Sequence, residues 1–223
     1  MLHILERKFG LESWDFLRSS QLFFALALAG VPILVSARTP PCPPSESTVY
    51  VQITRLEGSR DLGNGALARF LRSCDRRLAI RAALAIGRTK KAAGVPMLAQ
   101  AYTANTDAGM RAIIIYSLGL IANIDSSAPV MEALVRARDG AVQVAALDAI
   151  DRLETAHMLS ATQELQAGRR VRELLGLADV IVRGRAATAL EAFHASPFAQ
   201  GVVGSLARAY AREPDSYVRW HLV

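Results

Sequence analysis

From residue 48 to residue 223 the chain repeats one pattern of apolar and polar positions. An Asp is followed by two variable residues, an apolar residue and a stretch in which apolar or small side chains recur every three or four positions. That spacing places the apolar side chains on one face of an α-helix. The repeated phrases begin at Asp75, Asp107, Asp139, Asp179 and Asp215. The steps between these residues are 32, 32, 40 and 36 positions. A period in this range predicts stacked helical units and not a single globular core.

Each unit is predicted to contain two helices. The repeated Asp is well placed to cap the first helix by accepting hydrogen bonds from its free backbone N–H groups. Gly87 and Gly119 stand where a C-terminal glycine would end that helix. Pro96, Pro129 and Pro197 are expected near the start of the second helices, where a missing N–H costs little. The pattern predicts an all-α fold, a right-handed α-solenoid of antiparallel helix pairs.

Three features depart from the regular repeat. A degenerate unit comes first, with helices predicted near 49–56 and 66–71. The step of 40 residues contains an insertion near 168–175, which is either an extended second helix or a surface loop. By the register of the earlier units the last helix should run to about residue 227. We therefore interpret the array over 48–223 as truncated at its C-terminus, a fragment of a longer protein.

The N-terminal 47 residues are predicted to lie outside the array. Residues 22–37 are uncharged and apolar, end in Val35-Ser36-Ala37 and follow Arg18. This pattern is typical of a secretory signal peptide cut after Ala37. Because three acidic residues precede the run, retention of 1–37 as a signal anchor is the alternative. Residues 38–47 are rich in Pro and predict an extended linker. The protein is thus expected to be exported. It is either periplasmic or anchored in the inner membrane and facing the periplasm. Membrane contact is expected only through 22–37, and only if that segment is uncleaved.

The net charge and its distribution along the chain bear on which class of partner is predicted. The 223 residues are 52% hydrophobic and 6% aromatic, with a formal net charge of +6. A basic excess can attract nucleic acid or acidic lipid. Here the arginines are spread through the repeats with acidic residues between them, which favours solvated faces and ion pairs. The sequence therefore predicts no nucleic-acid partner.

No motif predicts catalysis. The sequence lacks a Gly-rich phosphate loop, a nucleophile elbow and an H-E-x-x-H motif. We expect no catalytic, metal-binding or cofactor-binding residue, and no cofactor. Asp148, Asp151 and Glu154 share one helix, where a solvated face or pairing with Arg152 is the favoured interpretation.

The cysteines and the large aromatic residues have few assigned roles in the sequence. Cys42 and Cys74 could form one disulfide in an exported protein or remain two free thiols. The large aromatic side chains are expected to serve as packing residues; they are Tyr102, Tyr116, Tyr210 and Trp220.

The repeated phrase D-x-x-V-R-x-x-A-A-x-A-L-G resembles the HEAT repeat, most closely the short bacterial type that is also seen in the phycobilin lyases. The resemblance is strongest at 110–119 and 182–190 and covers about 48–223. It implies that the repeated Asp and Arg side chains are structural and form ladders between adjacent units. These residues are Asp75, Asp107, Asp139, Asp179 and Asp215, with Arg111, Arg183 and Arg219.

A narrower resemblance concerns 53–61 and 81–88. These segments resemble the opening of exported bacterial proteins in which a HEAT array precedes a cyclophilin-type peptidyl-prolyl isomerase domain. The resemblance implies an alternative function, in which this array positions client proteins for a catalytic domain beyond residue 223.

The function favoured by the sequence is a non-catalytic protein-binding scaffold. A chaperone similar to the chromophore lyases is a third interpretation, which the export signal disfavours. Second helices are expected to line the concave side and to bind a protein partner with an acidic segment, since Arg is favoured at interfaces. The basic positions assigned to this surface are Arg69, Arg72, Arg136, Arg138, Arg208 and Arg212.

Overall fold

The computed structural model describes residues 46–195 and 201–222, and within them every regular element is a helix. The helices are α1 (Ser47–Gly58), α2 (Ala66–Leu71), α3 (Arg76–Thr89), α4 (Gly94–Ala104), α5 (Ala108–Ile121), α6 (Ile124–Arg136), α7 (Gly140–Thr155), α8 (Ala161–Leu174), α9 (Val180–Glu191), α10 (Val202–Arg212) and α11 (Ser216–Trp220). A 3-10 turn, Ala192–Ala195, follows α9. The predicted array of helix pairs is confirmed. The predicted leader, 1–37, and residues 38–45 of the linker lie outside the described residues.

Each repeated Asp precedes the first residue of a helix and caps it. The Asp75 carboxylate accepts hydrogen bonds from the backbone N–H groups of Arg77 and Leu78, at 2.9 and 3.4 Å. Asp139, Asp179 and Asp215 accept from two N–H groups in the same way at the start of α7, α9 and α11, and Asp107 accepts from the N–H of Met110 at the start of α5. We call α3, α5, α7, α9 and α11 the Asp-headed helices, and α2, α4, α6, α8 and α10 the second helices.

The two predicted C-terminal glycines do not end their helices. Gly87 and Gly119 are buried within α3 and α5, which continue to Thr89 and Ile121. A Cβ on Gly87 would lie 2.8 Å from the backbone oxygen of Ser117, and one on Gly119 would lie 2.6 Å from the Cα of Ala149. These glycines are therefore present because neighbouring Asp-headed helices touch backbone to backbone, and the prediction from sequence was wrong.

The two layers of helices differ in how closely their members pack. Helix α1 packs closely on α3, and from α3 to α9 each Asp-headed helix packs closely on the next, whereas successive second helices contact each other sparsely. We call the closely packed Asp-headed helices the inner layer and the second helices the outer layer. The expectation that second helices line the concave side stays a prediction.

The second helices begin earlier than their prolines predicted. Asn123 caps α6 and accepts from the N–H groups of Asp125 and Ser126, so Pro129 lies inside the helix. Pro96 is the third residue of α4. Ser160 and Gln163 form a capping box at the start of α8. Pro96 thus lies near the start of its helix as expected, whereas Pro129 does not, because the Asn123 side chain satisfies free N–H groups five residues before Ala128 and starts α6 there. Pro197 lies outside the described residues.

The insertion is accommodated within helical structure. Helix α7 has 16 residues and α8 has 14, and α8 is continuous through the predicted insertion as far as Leu174. Gly168 is buried on its core side. Of the two alternatives left by the sequence, the extended helix is therefore observed over 168–174.

The hydrophobic core is continuous along the array. A single cluster of buried side chains extends from Ile53 in α1 to Val202 in α10. A smaller cluster joins Ala187 of α9 to Val218 and Leu222. Each helix pair buries its apolar faces against its neighbours, as expected for a stacked array.

Candidate functional site

Arg183 connects two consecutive units. Its Nε and one terminal nitrogen each donate a hydrogen bond of 2.8 Å to the Glu213 carboxylate, and its other terminal nitrogen donates to the backbone oxygens of Leu177 and Ala178. Both side chains are almost fully buried. The hydrogen bonds from Arg183 lower the pKa of Glu213 below its ordinary value, against an opposing effect of burial. Arg183 therefore stabilises the junction between α9 and the turn before α11.

The contacts that the structure shows for the other repeated Asp and Arg residues differ from unit to unit. Arg111 lies over the Tyr102 ring, 4.3 Å from its centroid, and Arg219 is exposed. One ion pair joins Arg76 to the repeated Asp107, at 3.1 Å. The backbone N–H of Met110 and then Arg76 lower the pKa of the Asp107 carboxyl. The ladder implied by the resemblance stays a prediction.

The six arginines assigned to partner binding are all exposed. Arg69 lies in α2, Arg136 in α6, and Arg208 and Arg212 in α10, while Arg72 and Arg138 directly follow second helices. Arg136 forms an exposed ion pair with Glu132 one turn earlier, at 3.1 Å. The set therefore lies on the outer layer and the adjoining turns, distributed over three units.

A groove of about 460 Å³ lies between the second helices α6 and α8. Its lining residues are Val135, Thr162, Leu165, Gln166, Arg169, Arg170 and Glu173. The two helices are linked at each end of the groove. Gln163 donates to the Ser127 hydroxyl at 3.0 Å, and Arg170 donates to the backbone oxygen of Leu134 at 3.3 Å. The sparse packing of the outer layer leaves this space open.

A second groove, of about 410 Å³, lies where α2, α3, α4 and α5 meet. Arg72 from the predicted binding set lines it, together with Arg76 and Cys74. Cys74 is disulfide-bonded, and Cys42, the other cysteine, lies outside the described residues.

Polar side chains on the inner layer form contacts that the sequence reasoning missed. Glu57 of α1 pairs with Arg81 and Arg88 of α3, and Asp148 of α7 pairs with Arg185 of α9. Burial acts to raise the pKa of Glu57, but the hydrogen bonds from Arg88 and Arg81 bring it below its ordinary value. Asp148 lies nine residues after Asp139, whereas Arg185 lies six residues after Asp179, so the two partners do not share a position in the repeat and the sequence reasoning had no signal for the pair.

Two more contacts join inner-layer helices of adjacent units. Arg152 of α7 lies 4.7 Å from the ring centroid of Tyr116 in α5. Thr188 of α9 forms a hydrogen bond of 3.2 Å with His221. The Arg76–Asp107 ion pair joins the starts of α3 and α5. Together with that pair, these contacts connect each Asp-headed helix to the next one.

The acidic cluster on α7 is not a solvated helix face. Asp148 pairs with Arg185, Asp151 is half-buried, and Glu154 is buried. Burial, with the nearby charge of Glu164, raises the pKa of Glu154 to about 7. The expectation of a solvated face was wrong because the face of α7 that carries these acids packs against neighbouring helices. Of the alternative, pairing with Arg152, the structure shows that burial raises the pKa of Asp151 and that the charge of Arg152 lowers it by a smaller amount.

The aromatic residues divide between core and surface. Tyr102 is buried and Tyr116 is half-buried, as expected for packing residues. Tyr210 is 47% exposed and Trp220 is 77% exposed, so the prediction of packing was wrong for these two. Helical periodicity alone does not distinguish an apolar position that faces a neighbour from one that faces solvent.

Over 46–195 and 201–222 there is no group of three or more His, Cys, Asp or Glu side chains that could hold a metal ion. Over the same residues no helix has the length and hydropathy needed to span a membrane.

Solved structures of helical proteins are similar to this chain. A chain in the structure of the complex of CpcE and CpcF of phycocyanin lyase from Nostoc sp. PCC7120 aligns with a TM-score of 0.60. The alignment covers 76% of this chain and 96% of that chain, at 19% sequence identity. No protein-family model matches the chain, and no curated protein matches it. The likeness confirms the predicted helical repeat fold.

Proposed function

We propose that this protein is an exported, non-catalytic scaffold that binds another protein through its layer of second helices. The observation that carries the proposal is the combination of exposed apolar side chains and exposed arginines on that layer. Ile124 is 67% exposed, Val135 is 41% exposed and Val203 is 78% exposed. Apolar side chains flanked by arginine are typical of protein–protein interfaces.

The charge of this layer favours an acidic partner. Arg138 and Arg212 are exposed, and the structure shows no carboxylate of the described residues in an ion pair with either. Guanidinium groups bind carboxylates in a planar, two-hydrogen-bond geometry. Binding to an acidic segment is therefore expected to weaken as salt increases, because exposed charges are screened.

Export is supported by two features of the chain. Residues 22–37 have the pattern of a signal sequence, and Cys74 is disulfide-bonded. Disulfides persist mainly in oxidising compartments such as the periplasm. The alternative, a client-positioning module of a prolyl isomerase, remains a prediction from the sequence, and an isomerase assay on the natural full-length protein would test it.

The scaffold proposal is tested by capture of a partner from a periplasmic extract. We expect the unaltered protein to capture a partner that is lost when Arg136, Arg138, Arg208 and Arg212 are all replaced by Glu. The matched control makes the same change of charge at exposed positions elsewhere, at Arg55, Arg77, Lys90 and Lys91. Capture of the same partner by both variants at every salt concentration would remove this surface from consideration.

A further inference from the structure

We propose that the groove between α6 and α8 is the docking site within that surface, and that its occupant is an acidic peptide segment of a partner with one bulky apolar side chain. This inference rests on the proposed scaffold function and specifies where binding occurs. It follows from the shape of the groove, from the side chains at its apolar positions and from the charges along its rim.

The groove has room and apolar surface for one large side chain. Its volume of about 460 Å³ is within the range of ligand pockets in proteins. Val135 contributes from α6 with 41% of its surface exposed, and Leu165 from α8 with 38% exposed. Covering both with an apolar side chain would remove from water surface that the folded chain leaves exposed.

The charged side chains that line the groove are Arg169, Arg170 and Glu173, which leaves an excess of positive charge. Glu173 is already in an ion pair with Arg170. Arg169 lines the groove, is exposed, and forms no ion pair with a described carboxylate. An occupant with Asp or Glu near its apolar residue complements this charge.

The groove is held open by its own hydrogen bonds. The contacts from Gln163 to Ser127 and from Arg170 to Leu134 fix the spacing of α6 and α8 on both sides of Leu165. Side chains that are already positioned lose little conformational entropy on binding. A short peptide segment can therefore bind without rearrangement of the two helices.

The test uses a displayed library of random twelve-residue peptides, selected on the intact protein. We expect the enriched peptides to combine a bulky apolar residue with flanking Asp or Glu. Their affinity should fall at least tenfold in Leu165→Glu and in Arg169→Glu. The matched controls are Val51→Glu and Arg77→Glu, which place the same changes at exposed positions outside the groove. Circular dichroism of each variant verifies the fold, and because Arg169 is exposed its replacement leaves the core unchanged.

Several results would overturn the inference. These are the absence of enriched peptides, enrichment of peptides without acidic residues, and binding that persists in both groove variants. Binding to vesicles of anionic lipid that is lost in the same variants, with no peptide enriched, would assign the groove to a membrane surface instead. If a partner from the periplasmic extract is still captured by Leu165→Glu and Arg169→Glu, the groove assignment fails while the scaffold proposal stands. If peptides bind but no partner is captured, the scaffold proposal fails.

Discussion

At the scale of single residues, the same residue type serves different purposes according to its surroundings. Arg183 is buried, donates to three groups and joins two units. Arg169 is exposed beside an apolar groove. A buried charge requires partners because water no longer solvates it, whereas an exposed one is free to meet an external carboxylate. Burial therefore separates structural arginines from candidate binding arginines more clearly than position in the repeat does.

Glu154 is predicted to make stability depend on pH. Burial and the charge of Glu164 raise its pKa from the ordinary value of 4.5 to about 7 in the folded protein. Between these values the folded state keeps a proton that the unfolded state has lost. The free energy of unfolding should therefore decrease as pH rises from about 4.5 to about 7, by about 2 kcal/mol after allowance for solvent screening.

The measurement is urea denaturation across this pH range, compared with Glu154→Gln. The variant cannot ionise at this position, so its stability should vary less with pH than that of the unaltered protein. Glu164, whose charge acts on Glu154, is unchanged in the variant. Parallel pH profiles for the two proteins would show that Glu154 does not titrate in this range.

At the scale of helices, contact between small residues determines how closely units stack. Gly119 of α5 faces Ala149 of α7 at backbone distance. Gly→Ala inside an exposed helix ordinarily stabilises by about 1 kcal/mol. At this position the added Cβ would force α5 and α7 apart, since both nearest atoms belong to the backbone or to a Cβ that cannot move independently.

We predict that Gly119→Ala lowers the free energy of unfolding by about 1–3 kcal/mol, the usual cost of overpacking. The control is Gly58→Ala at the end of α1, where a Cβ would meet nothing within 4 Å. That control should be neutral or slightly stabilising in the same urea titration. Equal stability of the two variants would mean that the helices separate without cost.

The pair Arg183–Glu213 is predicted to couple α9 to the unit that follows it. A double-mutant cycle with Arg183→Ala and Glu213→Ala should give a coupling energy of about 1 kcal/mol or more, because both partners are buried and bonded twice. The exposed pair Arg136–Glu132 is the control and should give about 0.3–0.5 kcal/mol. The first value should persist at high salt and the second should not; similar values for the two pairs would contradict the prediction.

At the scale of the whole molecule, the two layers of helices differ in packing, and we assign stability to one layer and binding to the other. The inner layer brings backbones together and is connected by polar contacts between units, so it stabilises the array. The outer layer packs more loosely and leaves apolar and basic side chains exposed. Solenoids commonly bind partners over an extended surface of several units, which is consistent with a scaffold.

Export is the prediction that concerns the chain as a whole. Residues 1–45 fused to a reporter should carry the reporter across the inner membrane, with processing after Ala37. The control fusion carries charged residues in place of two apolar residues within 22–37 and should remain in the cytoplasm. Cytoplasmic retention of the unaltered fusion would mean that 22–37 is not an export signal.

The sequence by itself determined the local features of this protein. The Asp at each helix start was predictable because a cap acts within three residues of itself. The helical period was predictable because apolar spacing reports the buried face directly. The likeness to the phycobilin lyase type of repeat followed from the same short phrases.

The tertiary structure decided everything that depends on a neighbour one unit away. Gly87 and Gly119 have the sequence context of helix ends, and only the approach of the next helix shows that they are packing contacts. Glu154 was assigned to a solvated face, and only the packing of its surroundings showed that it is buried. The groove between α6 and α8 is formed by Val135 of one unit and residues within 162–173 of the next. Local sequence carries no signal for the distance between these two helices, because that distance depends on how their units pack together.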